Sequence, residues 1–514
     1  MTKTEITQNR MKQSLLAARS LVFPDRPDPA KSRRIAEGRL VASCFIALAV
    51  FITIGVRIVT LATATEAASV SPVPLAGTTE RGQILDRRGR LMATNLPMTV
   101  LHADPSEIMD VTEAALQLAP LIAHHDEASL TRLLQKDARY VELDRKLTPE
   151  RHAAILGLGI PGINFRDGML RAYPRGNAAA HILGQVDTQN HGIAGVEKSM
   201  EAQLLAGNDV TLSIDIGMQA ILAKEISSQI NDFEAIGGAG VLLDIRSGEI
   251  LAMVSLPDFN PNHPSKIRAY TENNLVTNAR FEMGSTLKMF NAAMAIENNS
   301  VDKNDLFDVS KDYKLTNTYL VKDHKKLEKP INFNEVFIES SNIGSIKVLE
   351  KTGVEKQKDF FYSLGFNEKV ILKGLSSIEN NLPNHSEWND VRSKSISYGY
   401  GISITPLSLV KIFSSLVNGG YIVKPSITFN ERPYKERVLK KETSDKINNL
   451  LYQIVDLGTG KRAKIEGLKI GGKTGTARKS KDKEGYYDDK IITSFIGVFP
   501  VENPKYILFI LFDD

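Results

Sequence analysis

Three short patterns in this 514-residue chain could do chemistry, and one of them has two readings. Gly467-x-x-x-x-Gly472-Lys473-Thr474 matches a phosphate-binding loop letter for letter, and the chain closes on "ILFILFDD", an apolar strand followed by carboxylates. The same residues include Lys473-Thr474-Gly475, one wall of a serine acyl-transfer site. Such a site needs a nucleophile, a base in contact with it and donors for a developing oxyanion. Ser285-x-x-Lys288 supplies a hydroxyl and an amine one helical turn apart. That lysine can take a proton only when neutral, a form favoured by a positive helix end and a nearby second cation. Ser340-x-Asn342 supplies a hydroxyl and an amide that can relay a proton and orient a base, although Ser and Asn also cap helices routinely. Ser-x-x-Lys recurs at Ser300, Ser408 and Ser480, so the pattern alone decides nothing.

The elements around these residues separate the readings. In "FEMGSTLKMFNAAMAIEN" Gly284 precedes Ser285, and Leu287, Phe290 and Met294 fall at helical spacing, which predicts Ser285 at a helix N-terminus. A phosphate loop needs a helix after Lys473. Instead Leu468 and Ile470 alternate like strand residues, and "ARKSKDKEGYYDDK" carries no helical apolar stripe and reads as a polar hairpin loop. Lys473-Thr474-Gly475-Thr476 therefore reads as an edge strand, with Gly475 letting a backbone pass close by. "GAGVLLDI" and "EILAMVSLP" form a hairpin across Arg246-Ser247-Gly248. Asp215 is placed to cap the preceding helix. A long helical stretch is expected over roughly 284–460, before strands return at Leu468–Arg478, Ile491–Phe499 and Lys505–Phe512. Strands at both ends with helices between predict one antiparallel sheet with a helical block against it.

Composition is that of a globular protein: 42% apolar and 24% charged residues, with a net charge of +4 too small to argue for nucleic acid. The single Cys44 excludes intrachain disulfides and multi-Cys metal sites; no metal or other cofactor is expected, and His124-His125 reads as a solvated pair. Leu40–Val56 is an uninterrupted uncharged run, close to the roughly 20 residues of a spanning helix. Nine Lys/Arg against four Asp/Glu precede it. The positive-inside rule then predicts an uncleaved anchor over 40–62, with a cytoplasmic tail and an exported C-terminal mass. The expected organisation is a tail at 1–39, an anchor at 40–62, a linker at 63–79, a non-catalytic module at 80–205 and a catalytic domain at 206–514. A nucleotide site outside the cytoplasm makes little physical sense, which also weighs against the phosphate loop.

In this order the three patterns form the set shared by penicillin-binding proteins and serine β-lactamases. The chain resembles the class B penicillin-binding proteins, the monofunctional peptidoglycan D,D-transpeptidases. "RGQILDRRGRLMATN", "AYPRGNAAAHILGQV", "GIAGVEKSMEAQL", "GEILAMVSLPDFNPN" and "SISYGYGISITPLSL" carry that resemblance outside the three patterns. The short tail and single anchor look most like the division (septal, FtsI-like) type, with the elongation type as the alternative.

The resemblance implies an α/β (α+β) fold: a five-stranded antiparallel sheet with helices on both faces, on an elongated dimerisation-type pedestal. It implies that Ser285 attacks the carbonyl between two D-Ala residues of a stem peptide and that Lys288 accepts its proton. Ser340 and Asn342 would pass a proton to the departing D-Ala, Lys473 would add positive charge, and Thr474 and Thr476, flanking Gly475, would hold the terminal carboxylate. The amides of Ser285 and Thr476 would form the oxyanion hole. β-Lactams would stall the enzyme as acyl-serine. Further partners implied are lipid-linked nascent strands, an FtsW-like glycosyltransferase and other divisome proteins, with a single-pass location in the bacterial inner membrane and the catalytic domain in the periplasm.

Two departures from the family stand out. Met283 replaces the proline common before Gly-Ser. The sequence also ends on "YILFILF" followed by two aspartates, where the family continues into a C-terminal helix. One face of that strand is therefore expected to lack its cover, at on the order of 1.5–3 kcal/mol per exposed large side chain. A β-lactamase would need a water-activating Glu, and no Glu-x-x-Leu-Asn segment lies between Asn342 and Lys473. A membrane-anchored β-lactam sensor or inactive scaffold is the non-catalytic alternative.

Overall fold

The computed structural model describes residues 12–13, 42–56, 80–264, 267–302, 304–481 and 485–514. The chain divides into two units, Met1–Thr78 and Thr79–Asp514. In the first, residues 42–56 are helical with exposed side chains. The rest of the expected anchor, the linker at 63–79 and nearly all of the tail lie outside the described residues. Among the described residues no helix is long and apolar enough to cross a membrane.

The second unit begins with the hairpin expected from "DRRGR". Ile84–Leu85 pairs with the start of β1 (Leu91–Ala103) and, in parallel, with Val210–Thr211. β1 also pairs antiparallel with β2 (Val141–Leu147) and β3 (Ile163–Ala172). Asp110, Asp126 and Thr148 cap three short helices here, with the last also carrying Pro149 at its first turn. Leu118, Leu130, Leu134 and Ile155 bury against Leu101 and Leu143 as a separate small core.

α1 (Ile216–Phe233) starts where Asp215 Oδ1 accepts from the amides of Gly217 and Met218, the cap expected from the sequence. It leads into β4 (Gly237–Asp244) and β5 (Ile250–Leu256), turned at Arg246-Ser247-Gly248 with Gly248 at φ +81°. The helical block follows, with α2 (Lys288–Glu297), α3 (Asn342–Thr352), α4 (Pro406–Val417) and α5 (Lys441–Asp456) among its members. The stretch 284–460 is less continuously helical than expected: two-residue ladders occupy Leu306–Asn332, and a largely irregular segment joins Ser363 to Asp390. The chain then adds β6 (Gly471–Ser480), β7 (Tyr486–Phe499) and β8 (Tyr506–Asp513).

The sheet runs β6-β7-β8-β4-β5, every neighbour antiparallel, so strands from both ends of the domain form one surface and β6 is an edge. Polar residues after Thr476 extend the ladder, with Arg478 opposite Ile491 and Ser480 opposite Tyr486, rather than leaving it as a loop. Period-two alternation puts Ile507, Phe509 and Leu511 into the main core with Phe290, Phe413, Leu450 and Ile454. The opposite face of β8 is covered in part: Leu508, Ile510 and Phe512 are half-buried against Leu222 and Ile226 of α1 and Ala252 and Val254 of β5. α1 comes close because β4 opens with small residues. A Cβ at Gly240 would stand 2.7 Å from Ile226 Cδ1.

Candidate active site

Ser285 sits in a tight 3-10 turn, Gly284–Thr286, that runs straight into α2. The turn depends on glycine. Gly284 has φ +53°, and a Cβ there would lie 2.3 Å from the Thr476 carbonyl oxygen on β6. Gly399, at φ +116°, presses on the same turn from the other side; its Cβ would meet Gly284 O at 2.1 Å. Thr286 Oγ1 donates to Met283 O at 2.8 Å and closes the turn, so Met283 serves where the family has proline. Ser285 is half-buried and its hydroxyl makes no hydrogen bond among the described residues.

Lys288, the first residue of α2, is fully buried. Its Nζ donates to Ser340 O (2.6 Å), Asn342 Oδ1 (2.7 Å) and, at 3.3 Å, Ser340 Oγ. Ser340 holds the αL conformation (φ +57°) between two helices, which aims its carbonyl and hydroxyl at the same amine. From the sheet side comes Lys473, also fully buried, donating to Ser340 Oγ at 2.9 Å and to Thr474 O at 3.0 Å. One hydroxyl oxygen thus bridges two buried amines, one 52 residues before it in the chain and the other 133 residues after it.

Burial holds the Lys288 amine well below the usual lysine range. The charge on Lys473 pushes the same way and Asp323 opposes it. Burial pushes Lys473 down to about 7. An amine that sheds its proton near neutrality can accept one from a hydroxyl, which an ordinary surface lysine cannot do.

β6 brings the remaining expected residues to the rim. Lys473, Gly475 and Ala477 face inward, while Thr474 is half-buried and Thr476 exposed. Gly475 lets the strand touch the nucleophile's turn: a Cβ there would be 2.6 Å from Met283 O and 2.4 Å from Ser494 Oγ. Thr474 Oγ1 donates to Thr459 Oγ1 at 3.4 Å. The phosphate-loop reading fails on geometry, because Lys473 and Thr474 pair with Ile496 and Phe495 in a continuous ladder and no helix opens after them. The structure therefore brings together Ser285, Lys288, Ser340, Asn342, Lys473, Gly475 and Thr476. Lys288, however, is hydrogen-bonded to the Ser340–Asn342 turn rather than to Ser285.

Two neighbours were not singled out from the sequence. Asp323 accepts from the amides of Asn342 and Ile343 and from Ser341 Oγ, underneath the amide that holds Lys288. Glu282 Oε1 accepts from Gly401 N (2.7 Å) and Tyr486 OH (3.1 Å), beside a Tyr400–Tyr486 edge contact; burial pushes its carboxyl up. Glu282 stands only three residues before Ser285, so its place beside the nucleophile's turn was within reach of the sequence; Asp323 lies 19 residues before Asn342, and only the folded chain shows that it belongs here.

Residues 238–514 match the family model for the penicillin binding protein transpeptidase domain, and residues 77–213 that for the penicillin-binding protein dimerisation domain. The chain is 31% identical over 450 residues to the probable peptidoglycan D,D-transpeptidase FtsI of Caulobacter vibrioides, covering 84% of this chain and 76% of that protein. It is 28% identical over 470 residues to the peptidoglycan D,D-transpeptidase FtsI of Escherichia coli K12, covering 85% and 79%. Among solved structures, penicillin binding protein 3 of Mycobacterium tuberculosis, complexed with aztreonam, superposes with a TM-score of 0.67 at 22% identity over 85% of this chain and 90% of that one.

Proposed function

Because the chain belongs to the penicillin-binding protein transpeptidase family, as a class B, FtsI-like member, we propose that it cross-links peptidoglycan stem peptides during septal wall synthesis through an acyl-serine at Ser285. The observation that carries the assignment of roles is the Ser340 hydroxyl held between two buried amines, beside the turn that presents Ser285. Ser285 Oγ attacks the carbonyl carbon of the penultimate D-Ala. Its proton passes to the neutral Lys288 amine. The peptide C–N bond breaks, and the departing D-Ala nitrogen takes a proton relayed through Ser340 Oγ with Lys473 beside it. The amine of a neighbouring stem then attacks the ester carbonyl, forms the new amide and returns the proton to Ser285. A β-lactam opens its ring amide on the same serine and stays attached.

Thr474 and Thr476 take the donor's terminal carboxylate at the rim of β6, and the amides of Ser285 and Thr476 stabilise the oxyanion. The close approach that only Gly284 and Gly475 permit supports that pairing of amides. Residues 40–62 anchor the protein as a single pass in the inner membrane, with the catalytic domain in the periplasm. The uncharged run Leu40–Val56 and the basic residues before it support this. An FtsW-like glycosyltransferase is the partner such a division enzyme would meet through the anchor and pedestal.

Labelling with a fluorescent penicillin tests the assignment. The full chain in detergent should take one label that persists for many minutes, and Ser285→Ala should take none. Labelling that survives in Ser285→Ala would sink the choice of nucleophile. Label lost within seconds would point to a hydrolase instead.

A further inference from the structure

The amine of Lys288 is held by Asn342, and Asn342 is itself held from an unexpected direction. Its side-chain nitrogen donates to Lys322 O at 2.9 Å, which fixes the amide so that Oδ1 faces Lys288. Its backbone amide donates to Asp323 Oδ1 at 2.6 Å, and the next amide, of Ile343, donates to the same oxygen at 3.0 Å. Asp323 Oδ2 accepts from Ser341 Oγ at 2.5 Å, and that hydroxyl oxygen in turn accepts from Gly344 N at 2.8 Å. The first three amides of α3, otherwise without helical partners, are thus satisfied by one carboxylate and one serine. Lys322 and Asp323 lie just after the short ladder of Tyr313–Lys314 with Leu320–Val321, about 20 residues before the turn they hold.

Resting on the acyl-serine reading, we propose that Asp323 is the positioning residue of the catalytic base: it fixes Asn342 Oδ1 on the Lys288 amine and is the anion whose charge acts on that amine. Two observations support the electrostatic half. Of the charges acting on Lys288, Lys473 from β6 disfavours the ammonium form and Asp323 favours it. Two lysines close to Asp323 in the chain have other carboxylate partners: Lys322 lies 3.7 Å from Asp312, and Lys325 lies 3.0 Å from Glu339. Without this anion the one opposite charge acting on the buried Lys288 amine is lost.

A purely structural cap makes a different prediction from this one. Losing a cap lowers stability and the fraction of folded enzyme, but leaves the pH dependence of the remaining activity alone. Losing the anion lowers the pH at which Lys288 becomes neutral. The acidic limb of penicillin acylation should therefore move to lower pH in Asp323→Asn, an isosteric change that keeps an acceptor for the α3 amides. Asp323→Ala should also release Asn342 and slow acylation by about 10- to 100-fold, a share of the roughly 10²–10⁴-fold that general acid–base catalysis supplies.

The experiment measures acylation against pH for the full chain and both variants. In parallel it follows the Lys288 Nζ signal by NMR after selective ¹⁵N-lysine labelling, a readout that needs no turnover. A lower titration midpoint in Asp323→Asn, with the acidic limb displaced alongside it, is the expected result. A midpoint equal to that of the unmodified chain overturns the proposal, whether or not Asp323→Ala folds. If the unmodified chain takes no penicillin, the functional reading fails instead, and the titration still decides the role of Asp323.

Discussion

At the scale of single residues, what distinguishes Ser285-x-x-Lys288 from its repeats is the fate of the lysine. In Ser408-x-x-Lys411 the same spacing occurs on α4, but Thr405 Oγ1 occupies Ser408 and the Lys411 amine sits 2.7 Å from Glu368. Lys411 thus has a carboxylate partner, whereas the acceptors in contact with Lys288 are neutral. The pH dependence of acylation follows. Because Lys288 is lowered, its neutral form is populated at lower pH than an ordinary lysine's, and acylation rises with pH through that lowered value. Lys473 loses its charge as pH rises through about 7, and a relay that uses the cation then weakens. Penicillin acylation should trace a bell with both limbs below the ordinary lysine range, its two apparent values belonging to the pair. A rate that climbs without a maximum to pH 10 would remove Lys473 from the relay. The motif letters in the sequence named these residues and a second cation that disfavours the Lys288 ammonium. The larger cause, burial, was not legible, because it is set by what α2, α3 and β6 place around two amines.

At the scale of elements, the site is a contact between a helix start and a sheet edge, and glycine decides how close they come. Gly475 faces inward on β6 with Met283 O and Ser494 Oγ both inside the reach of any Cβ. Gly475→Ala must push the strand away from the Ser285 turn. Overpacking of this kind costs about 1–3 kcal/mol, within reach of a folded protein. A displacement on the order of 1 Å is enough to cost about 10²-fold in rate. The variant should melt only modestly lower yet acylate at least tenfold more slowly; wild-type acylation with a lowered melting point would show that the strand's position is not critical. The edge position of β6, the hairpin before it and the cap on α1 were legible, because each rests on local alternation or a local side-chain bond. The partners of the turn from farther along the chain were not. Gly399 lies over 100 residues from Gly284, and Asp323 reaches Asn342 from a short ladder inside a stretch that helical spacing had claimed. No periodicity encodes contacts of that kind.

At the scale of the whole second unit, the pedestal and the catalytic sheet share one chain path, and buried charge holds the junction. Arg90 spans Asp86 and Asp215, so the first hairpin grips the cap of α1, while Asp86 Oδ2 also accepts from Ile216 N. Arg87 reaches Glu249 at the start of β5. Deeper in the pedestal, Glu197 is fully buried between two arginines, taking Arg81 Nε at 2.8 Å and Arg171 Nε at 2.7 Å. Those three residues come from the first hairpin, the end of β3 and the helix Gly195–Ser199, so one carboxylate ties the two ends of the module. Its removal leaves two buried guanidinium groups with only Glu201, on the rim, as a charged partner. Breaking a buried pair in this way costs about 3–5 kcal/mol, against about 0–1 kcal/mol for an exposed pair. Glu197→Gln should therefore lower the melting temperature of the full chain markedly, while any folded fraction still takes penicillin at Ser285, which lies in the other module. A melting curve superimposable on the unmodified protein's would mean that the arginines find water or Glu201 at no cost, and that the pedestal draws its stability from packing rather than from this buried carboxylate.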